Sequence, residues 1–158
     1  MKDAPRVFAR PKKRLPAEGQ SDRFTLMIVE DNDVNVKVLK ALLSCFDCEL
    51  LVAMDGRKAV SLFKQNRIDL ILMDIEMPLM NGFDATKEIR AFEAENGLNK
   101  TPIIAVTAHI KPADQHLCVA ADMNDYLHKP VKMEELKKRV RIWQPALPFA
   151  AAPTSAAG

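Results

Sequence analysis

The sequence predicts an α/β domain built as a (βα)5 doubly wound sheet of five parallel strands. Three observations lead to this prediction. Short apolar runs recur along the chain, stretches with apolar residues at helical spacing separate them, and a charged or hydroxyl residue directly follows most of the runs. The runs are apolar at every position, which is typical of strands buried on both faces in a parallel sheet. Right-handed crossovers then place helices on both sides of that sheet.

The predicted strands and helices alternate from residue 26 onward. The strands are expected at 26–29, 50–53, 70–73, 103–106 and 125–127, and the helices at about 34–46, 59–63, 83–95, 112–121 and 133–143. Asn96 and Gly97 close the third helix, because glycine readily takes the left-handed conformation that ends many helices. Pro112 suits the first turn of the fourth helix, where a backbone N–H is not needed.

The composition divides the chain into a basic leader, a domain and a short tail. Residues 1–23 are charged and proline-containing and show no period, so they are predicted to be disordered. The domain covers 24–144, and the Ala- and Pro-rich residues 145–158 are predicted to form a flexible tail. Positive charge concentrates in the leader, since residues 1–24 hold seven Lys/Arg and three Asp/Glu. We interpret Lys12-Lys13-Arg14 as part of a solvated, disordered arm, with contact to an acidic partner or nucleic acid as the alternative, and expect no nucleic-acid partner.

The overall composition is that of a water-soluble domain. Hydrophobic residues make up 48% of the chain, charged residues 28%, and the net charge is +2. No apolar run approaches the ~20 residues that a membrane-spanning helix needs, so no membrane partner is expected. The basic N-terminus is not followed by an apolar segment, which argues against a secretory signal. We therefore expect the protein to act in the cytoplasm.

The chain has three cysteines, two of which have the spacing of a metal or redox motif. Cys45 and Cys48 stand three residues apart at the end of a helical pattern, whereas a redox pair usually opens a helix. Structural zinc needs four ligands, and no second Cys/His pair has ligand spacing. Together with Cys118, these residues are interpreted as buried, reduced thiols.

Polar residues at the strand ends predict a single site. Glu30 and Asp31 end the first strand, Asp74 ends the third, Thr107 ends the fourth and Lys129 follows the fifth. In open parallel sheets, ligands bind at the carboxyl ends of the strands. Crowded carboxylates favour a hard cation such as Mg²⁺, and an anion held between that cation and a lysine is what phosphoryl transfer requires. Asp74 is the central carboxylate and can act as the nucleophile.

The motifs around these residues closely resemble those of receiver domains of two-component response regulators. They are V-E-D-N (29–32), M-D-I-E-M-P (73–78), V-T-A (106–108) and N-D-Y-L-H-K-P (124–130). The phrases E-D-N-x-x-N and M-N-D-Y-L-x-K-P are most similar to receivers attached to hybrid histidine kinases. The resemblance covers about 24–144 and implies a flavodoxin-like sheet with strand order 2-1-3-4-5.

The resemblance assigns the chemistry of the acidic residues. It implies that Asp74 accepts a phosphoryl group from a phosphohistidine. Mg²⁺ is then held by Asp31 and Asp74 with the backbone carbonyl of Glu76, and Glu30 acts mainly through water. Asp33 is expected to cap the first helix, which leaves the acidic pair for the metal.

Other roles implied by the resemblance concern the phosphoryl group and the response to it. Thr107 and Lys129 contact the phosphoryl oxygens, and Lys129 precedes a proline in a peptide bond that is often cis in the family. Thr107 and Tyr126 shift together and change the surface of the fourth helix, fifth strand and fifth helix. Glu76 and His109 are expected to tune the lifetime of the acyl phosphate.

The expected partners are a histidine kinase or a histidine phosphotransfer protein, with a downstream protein target as a further candidate. The partner's helices are expected to dock around the first helix, near Asn35 and Lys37, which are expected to be free. Only the Ala/Pro tail follows Trp143, so no DNA-binding output domain is expected. Asp122 stands where many relatives carry glycine, at a position of positive φ.

Two alternatives use the same residue types. A haloacid-dehalogenase-like phosphatase also combines Asp, Thr and Lys on a doubly wound sheet, but it needs an Asp two residues after the nucleophile, where this chain has Glu76. Its paired acids also come late in the chain. The second alternative is a degenerate receiver that serves only as a binding scaffold. The expected protein is not an enzyme beyond catalysing its own phosphorylation and dephosphorylation.

Overall fold

The predicted (βα)5 architecture is confirmed in a computed structural model, which describes residues 14–108 and 112–150. The five strands are all parallel and lie in the order β2-β1-β3-β4-β5. The elements in chain order are β1 Thr25–Val29, α1 Asp33–Leu43, β2 Glu49–Ala53, α2 Gly56–Gln65, β3 Leu70–Asp74, α3 Gly82–Glu95, β4 Ile103–Thr107, α4 Pro112–Ala120, β5 Asp125–His128 and α5 Met133–Trp143. Every predicted element is present, with its ends within a few residues of the expected positions.

The sheet divides the core into two layers. On β1, Leu26 and Ile28 pack on the side of α1 and α5, whereas Met27 and Val29 pack on the side of α2 and α3. Successive side chains of a strand point to opposite faces, and here both faces are covered by helices. This explains why the strand sequences are continuously apolar.

Asparagine and aspartate side chains cap the first three helices. Asn32, not Asp33 as predicted, is the N-cap of α1, and its side chain accepts hydrogen bonds from the N–H groups of Val34 and Asn35. Asp33 instead occupies the first helical turn, where a carboxylate still interacts favourably with the helix dipole. Because Asn32 provides the cap, the Glu30 and Asp31 carboxylates are not used to cap α1.

The predicted positions of positive φ are confirmed. Gly97 ends α3 with a φ of 62°, and Asp122 has a φ of 66° at the turn after α4. A residue with a side chain is rarely found in this region, although aspartate tolerates it better than most. The Lys129–Pro130 peptide bond is cis, as the family resemblance implied.

The end of the leader contacts the domain, contrary to the predicted disorder of residues 1–23. The Arg14 guanidinium lies over the rings of Phe63 and Phe92 and donates to the Phe63 carbonyl. The Gln20 side chain donates to the Arg67 carbonyl at 2.7 Å and accepts from the Arg67 N–H at 2.9 Å. Periodicity could not show these contacts because each joins residues distant in sequence. The prediction for residues 1–13 lies outside the described residues.

The start of the tail is also packed rather than flexible. Leu147 is fully buried among side chains of α1, α5 and the sheet. The Phe149 ring stacks on Phe46 with ring centroids 5.4 Å apart, and the Ala150 N–H donates to the Cys45 carbonyl at 2.8 Å. The predicted tail therefore begins with a segment that completes the core, and residues 151–158 lie outside the described residues.

The cysteines are free thiols, but only one of them is buried. Cys118 is buried, whereas Cys45 and Cys48 are half-buried, which corrects the predicted burial of the pair. Burial raises the pKa of the Cys48 thiol to about 11, so it is a poor thiolate donor for metal or redox chemistry. Among the described residues, none of the helices has the length and apolarity to cross a bilayer.

Replacing Leu147 with alanine is expected to destabilise the domain. Truncation of a fully buried leucine removes apolar contacts and leaves a cavity, at a cost of about 2–4 kcal/mol in the free energy of unfolding. Urea denaturation followed by circular dichroism measures the change. Leu15→Ala is the matched control, because Leu15 is 82% exposed. Equal stability of the two variants would show that residues 145–150 do not belong to the core.

Candidate functional site

Four of the five predicted strand-end residues line one cavity at the carboxyl edge of the sheet. Its volume is about 260 Å³, and its lining includes Glu30, Asp31, Asp74, Glu76 and Lys129. Val29 lies opposite Met73 in the β1–β3 register, so the residues that follow them, Glu30 and Asp74, are neighbours. Parallel pairing thus brings residues from distant parts of the chain into one site.

Three carboxylates form the acidic part of this cavity. Glu30, Asp31 and Asp74 each present an oxygen within 4.8 Å of those of the others. Glu30 and Asp74 are buried, whereas Asp31 is exposed. Oxygen ligands from carboxylates, with room for water on the exposed side, suit Mg²⁺. The donor set therefore fits a magnesium ion.

The surroundings of Asp74 disfavour its charge. Burial and, to a smaller extent, the neighbouring charge of Glu30 raise the Asp74 pKa to about 6, although Lys129 and the Glu76 N–H oppose this shift. The Glu76 N–H donates to Asp74 Oδ1 at 3.2 Å. A carboxylate crowded in this way gains stability from a bound cation.

Lys129 supplies the positive charge of the site. Its Nζ lies 2.8 Å from Glu30 Oε2 and 3.4 Å from Asp74 Oδ1. Burial lowers the Lys129 pKa, but the hydrogen bond to Glu30 and the charge of Asp74 outweigh burial, so the net shift is upward. Lys129 is therefore an ammonium that is shared between two carboxylates.

Asn35 orients Glu30, a role that the sequence analysis missed. Its Nδ2 donates to Glu30 Oε1 at 3.3 Å, and the Asn32 N–H donates to the same oxygen at 3.2 Å. Asn35 is half-buried, so the prediction that it stays free for a partner is wrong, whereas Lys37 is exposed as predicted. The E-D-N-x-x-N motif could have indicated this role, because its second asparagine lies about one helical turn after the first and so on the same side of α1, next to Glu30.

Gly82 fixes the loop that follows Asp74, and this role was also missed. A Cβ built at Gly82 would lie 2.4 Å from the Asp74 carbonyl oxygen, so only glycine allows this approach. The Gly82 N–H donates to the Ile75 carbonyl at 3.1 Å and closes the loop on the strand. Within this loop, Leu79 has a φ of 70° and is 85% exposed.

The remaining predicted site residues are Thr107, Tyr126, Glu76 and His109, and they differ in burial and in position. Thr107 is buried at the end of β4, and its carbonyl accepts from the Lys129 N–H at 2.8 Å. Tyr126 is partly exposed on β5 and lines a separate cavity beside α5. Glu76 is exposed at the cavity, and His109 lies outside the described residues.

The fold and this site define a class of signalling domain. Residues 26–141 match the response regulator receiver domain family. The chain therefore belongs to that family. The resemblance read from the motifs is confirmed, and with it the strand order 2-1-3-4-5. The haloacid-dehalogenase-like alternative is wrong.

Relatives include receivers of histidine kinases and of response regulators. Hybrid signal transduction histidine kinase B of Dictyostelium discoideum is 40% identical over 119 residues, covering 70% of this chain and 6% of that protein. The receiver of the sensor histidine kinase PA1611 of Pseudomonas aeruginosa, solved with magnesium in its active site cleft, is 41% identical with a TM-score of 0.68. That match covers 77% of this chain and 97% of the solved one.

A third relative was solved together with a partner. It is the co-crystal structure of the Saccharomyces cerevisiae phosphotransfer protein Ypd1 with the receiver domain of Ssk1, at 33% identity and a TM-score of 0.70. The match covers 77% of this chain and 88% of that chain. The chain spans between 4% and 22% of the length of several curated relatives that it matches.

Asp74→Asn is expected to stabilise the metal-free protein at neutral pH. The folded-state pKa of about 6 exceeds the ordinary value of 3.8, so ionisation of Asp74 opposes folding once the pH rises above about 4. The variant removes this penalty, for a gain of about 3 kcal/mol at pH 7.5 that declines as the pH falls to about 4. Urea denaturation in EDTA measures the gain.

The control for this experiment is Glu88→Gln, which neutralises an exposed carboxylate of α3 outside the site. It should change stability little at any pH. Addition of Mg²⁺ should stabilise the wild type more than Asp74→Asn, because ligand binding to the native state raises its stability. A gain for Asp74→Asn that is as large at pH 4 as at pH 7.5 would contradict the inferred pKa.

Proposed function

We propose that Asp74 accepts a phosphoryl group from the phosphohistidine of a histidine kinase or a histidine phosphotransfer protein. The observation that carries this proposal is the position of the Asp74 carboxylate, buried between two further carboxylates and the Lys129 ammonium at the open edge of the sheet. We further propose that the exchange takes place in the cytoplasm. Beyond this self-directed chemistry, the protein is not an enzyme.

The geometry suggests which oxygen of Asp74 reacts. Oδ1 accepts from the Glu76 N–H and faces Lys129 Nζ. Oδ2 therefore forms the new O–P bond while the P–N bond to the histidine breaks, and the electron pair returns to the imidazole nitrogen. Attack of water on phosphorus later breaks the O–P bond to Asp74, releases inorganic phosphate and restores the carboxylate.

Glu30, Asp31, Asp74 and the backbone carbonyl of Glu76 would hold Mg²⁺, with Glu30 acting mainly through water. When bound, this ion supplies positive charge that offsets the carboxylates and the phosphoryl oxygens. The role is supported by the mutual proximity of the three carboxylates. It also agrees with the magnesium in the active site cleft of the PA1611 receiver.

Lys129 and Thr107 would bind the phosphoryl oxygens. Lys129 lies between Glu30 and Asp74, so it needs to move little to contact a group attached to Asp74. Thr107 ends β4, the strand that pairs with β3. In that pairing Asp74 lies opposite Val106, the residue before Thr107. Charge on the transferring oxygens makes such donors effective.

Phosphorylation would be transmitted by Thr107 and Tyr126 to the surface of α4, β5 and α5. Tyr126 is 37% exposed, so its side chain has room to change position. A downstream protein that reads this surface, a phosphorelay step and a phosphate sink are all compatible with this switch. We also propose that Glu76 and His109 set water access to the acyl phosphate and so tune its lifetime.

Exposed apolar side chains next to the acidic cavity suit a partner's helices. Val38 on α1 is 47% exposed and lines a small groove beside Lys129 and Pro130. Val34 precedes it by one helical turn, and Leu79 extends from the loop after Asp74. The Ssk1 receiver, solved in complex with Ypd1, supports a phosphotransfer protein as the partner class.

Incubation with acetyl phosphate and Mg²⁺ is expected to add one labile phosphoryl group to the wild-type protein. Asp74→Asn should gain none, because the amide cannot form the acyl phosphate. Intact-mass spectrometry at neutral pH measures the addition of the group. Repeated turnover of acetyl phosphate would indicate a phosphatase, no addition would indicate a scaffold, and label on Asp74→Asn would refute Asp74 as the acceptor.

Val38→Asp is expected to slow transfer from a phosphorylated phosphotransfer protein by about tenfold, because a buried interface aspartate costs more than 1.4 kcal/mol. Phosphorylation by acetyl phosphate should stay unchanged, since the side chain is outside the chemical site. Val119→Asp on α4 is the matched control, because Val119 is 78% exposed and does not line the acidic cavity. Equal rates for the two variants would remove α1 from the docking surface.

A further inference from the structure

A second, larger cavity lies at the opposite edge of the sheet, where the strands begin. Its volume is about 590 Å³, within the range of small-molecule sites. Phe24 precedes β1, Asp69 precedes β3 and Thr101 precedes β4, and all three line it. The receiver chemistry at the carboxyl edge makes no use of this cavity, which we call the floor cavity.

Positive charge dominates the floor cavity. Arg14, Arg67 and Lys100 line it, and Asp69 is the carboxylate among its lining residues. Asp69 is already engaged, since it accepts from the Thr25 N–H at 2.8 Å and lies 3.7 Å from an Arg67 nitrogen. The cavity therefore has an excess of cationic groups that favours an anionic ligand.

Arg67 is the buried cation of this cavity. It is 9% exposed, and its Nη2 donates to the Asp22 and Arg23 carbonyls at 3.2 and 2.8 Å. Its Nε is buried and has no hydrogen-bond partner within the part of the chain that the structure describes. Because Arg67 lines the cavity and is held by these carbonyls, its guanidinium is a fixed positive charge that can attract an anionic group there.

Lys100 can add a second contact at the rim. It is exposed, and its Nζ lies 2.5 Å from Asp122 Oδ2 in a solvent-accessible ion pair. Such pairs contribute little to stability, so Lys100 can turn toward an anion at low cost. Arg14, in contrast, is held by the carbonyls of Phe63 and Lys64 at the end of α2.

Aromatic rings provide apolar walls. Phe24, Phe63 and Trp143 line the cavity together with Leu98. The Trp143 indole Nε1 donates to Asp125 Oδ2 at 2.9 Å, which fixes the ring. Rigid aromatic surfaces favour flat apolar groups, which they contact by stacking or by their edges.

We propose that the floor cavity binds a small organic anion with a flat apolar body. The anionic group contacts Arg67 and Lys100, and the apolar body lies against the aromatic walls. This site is separate from the acidic cavity and does not depend on the proposed phosphorylation of Asp74.

Titration with 2-naphthalenesulfonate tests the proposal in the full-length protein. Trp143 is the single tryptophan of the chain, so the one indole N–H signal in a ¹H–¹⁵N spectrum reports on the cavity without ambiguity. The signal should shift saturably, and calorimetry should give the same affinity. Neutral 2-naphthalenemethanol and inorganic phosphate should each bind at least tenfold more weakly. The first lacks the anionic group, and the second lacks the flat apolar body.

Two variants localise the binding. Lys100→Glu should weaken affinity at least fivefold by reversing the charge at the rim, and Ala146→Phe should weaken it by filling space that Ala146 leaves open. Lys87→Glu is the matched control, because it makes the same charge change on an exposed face of α3. The proposal is overturned if the indole signal does not shift saturably, if Lys100→Glu and Lys87→Glu bind alike, or if the neutral compound binds as tightly.

Discussion

The contact of the Lys129 ammonium with Glu30 and Asp74 is the interaction on which the acidic cavity depends. Buried carboxylates within a few ångströms repel each other and lose hydration, and the ammonium offsets both effects. Glu30 follows β1 and Lys129 follows β5, two strands that are separated in the sheet by β3 and β4. The two residues are 99 positions apart in sequence. The charge balance of the site therefore requires the complete sheet, so the fold and the chemistry cannot be separated.

Much of this arrangement could be predicted from sequence because the parallel sheet imposes simple rules. Continuous apolar runs indicate the strands, and the rule that ligands bind at the carboxyl edge predicts that Glu30, Asp31, Asp74 and Lys129 lie together. The cavity contains all four. The order of the strands came from the family resemblance rather than from the pattern, since apolar runs do not specify which strands pair.

What could not be predicted depends on contacts that are not periodic. Asn32 caps α1 in place of Asp33 because the helix already begins at Asp33, one residue earlier than the sequence analysis predicted. Asn35 looked like a surface residue, yet it turns toward Glu30. The packing of Leu147 likewise follows from the three-dimensional position of the end of α5, and its Ala/Pro-rich surroundings gave no local signal of burial.

The two described segments that flank the domain, residues 14–23 and 145–150, both lie at the edge of the sheet where the strands begin. Arg14 rests on the end of α2, and Phe149 rests on Phe46 just before β2, so both segments leave the opposite edge open. Within the described residues, the chain therefore enters and leaves the domain at the pole opposite Asp74. A fusion made through either segment would leave the acidic cavity accessible, because covalent attachment and the cavity lie at opposite poles of the domain.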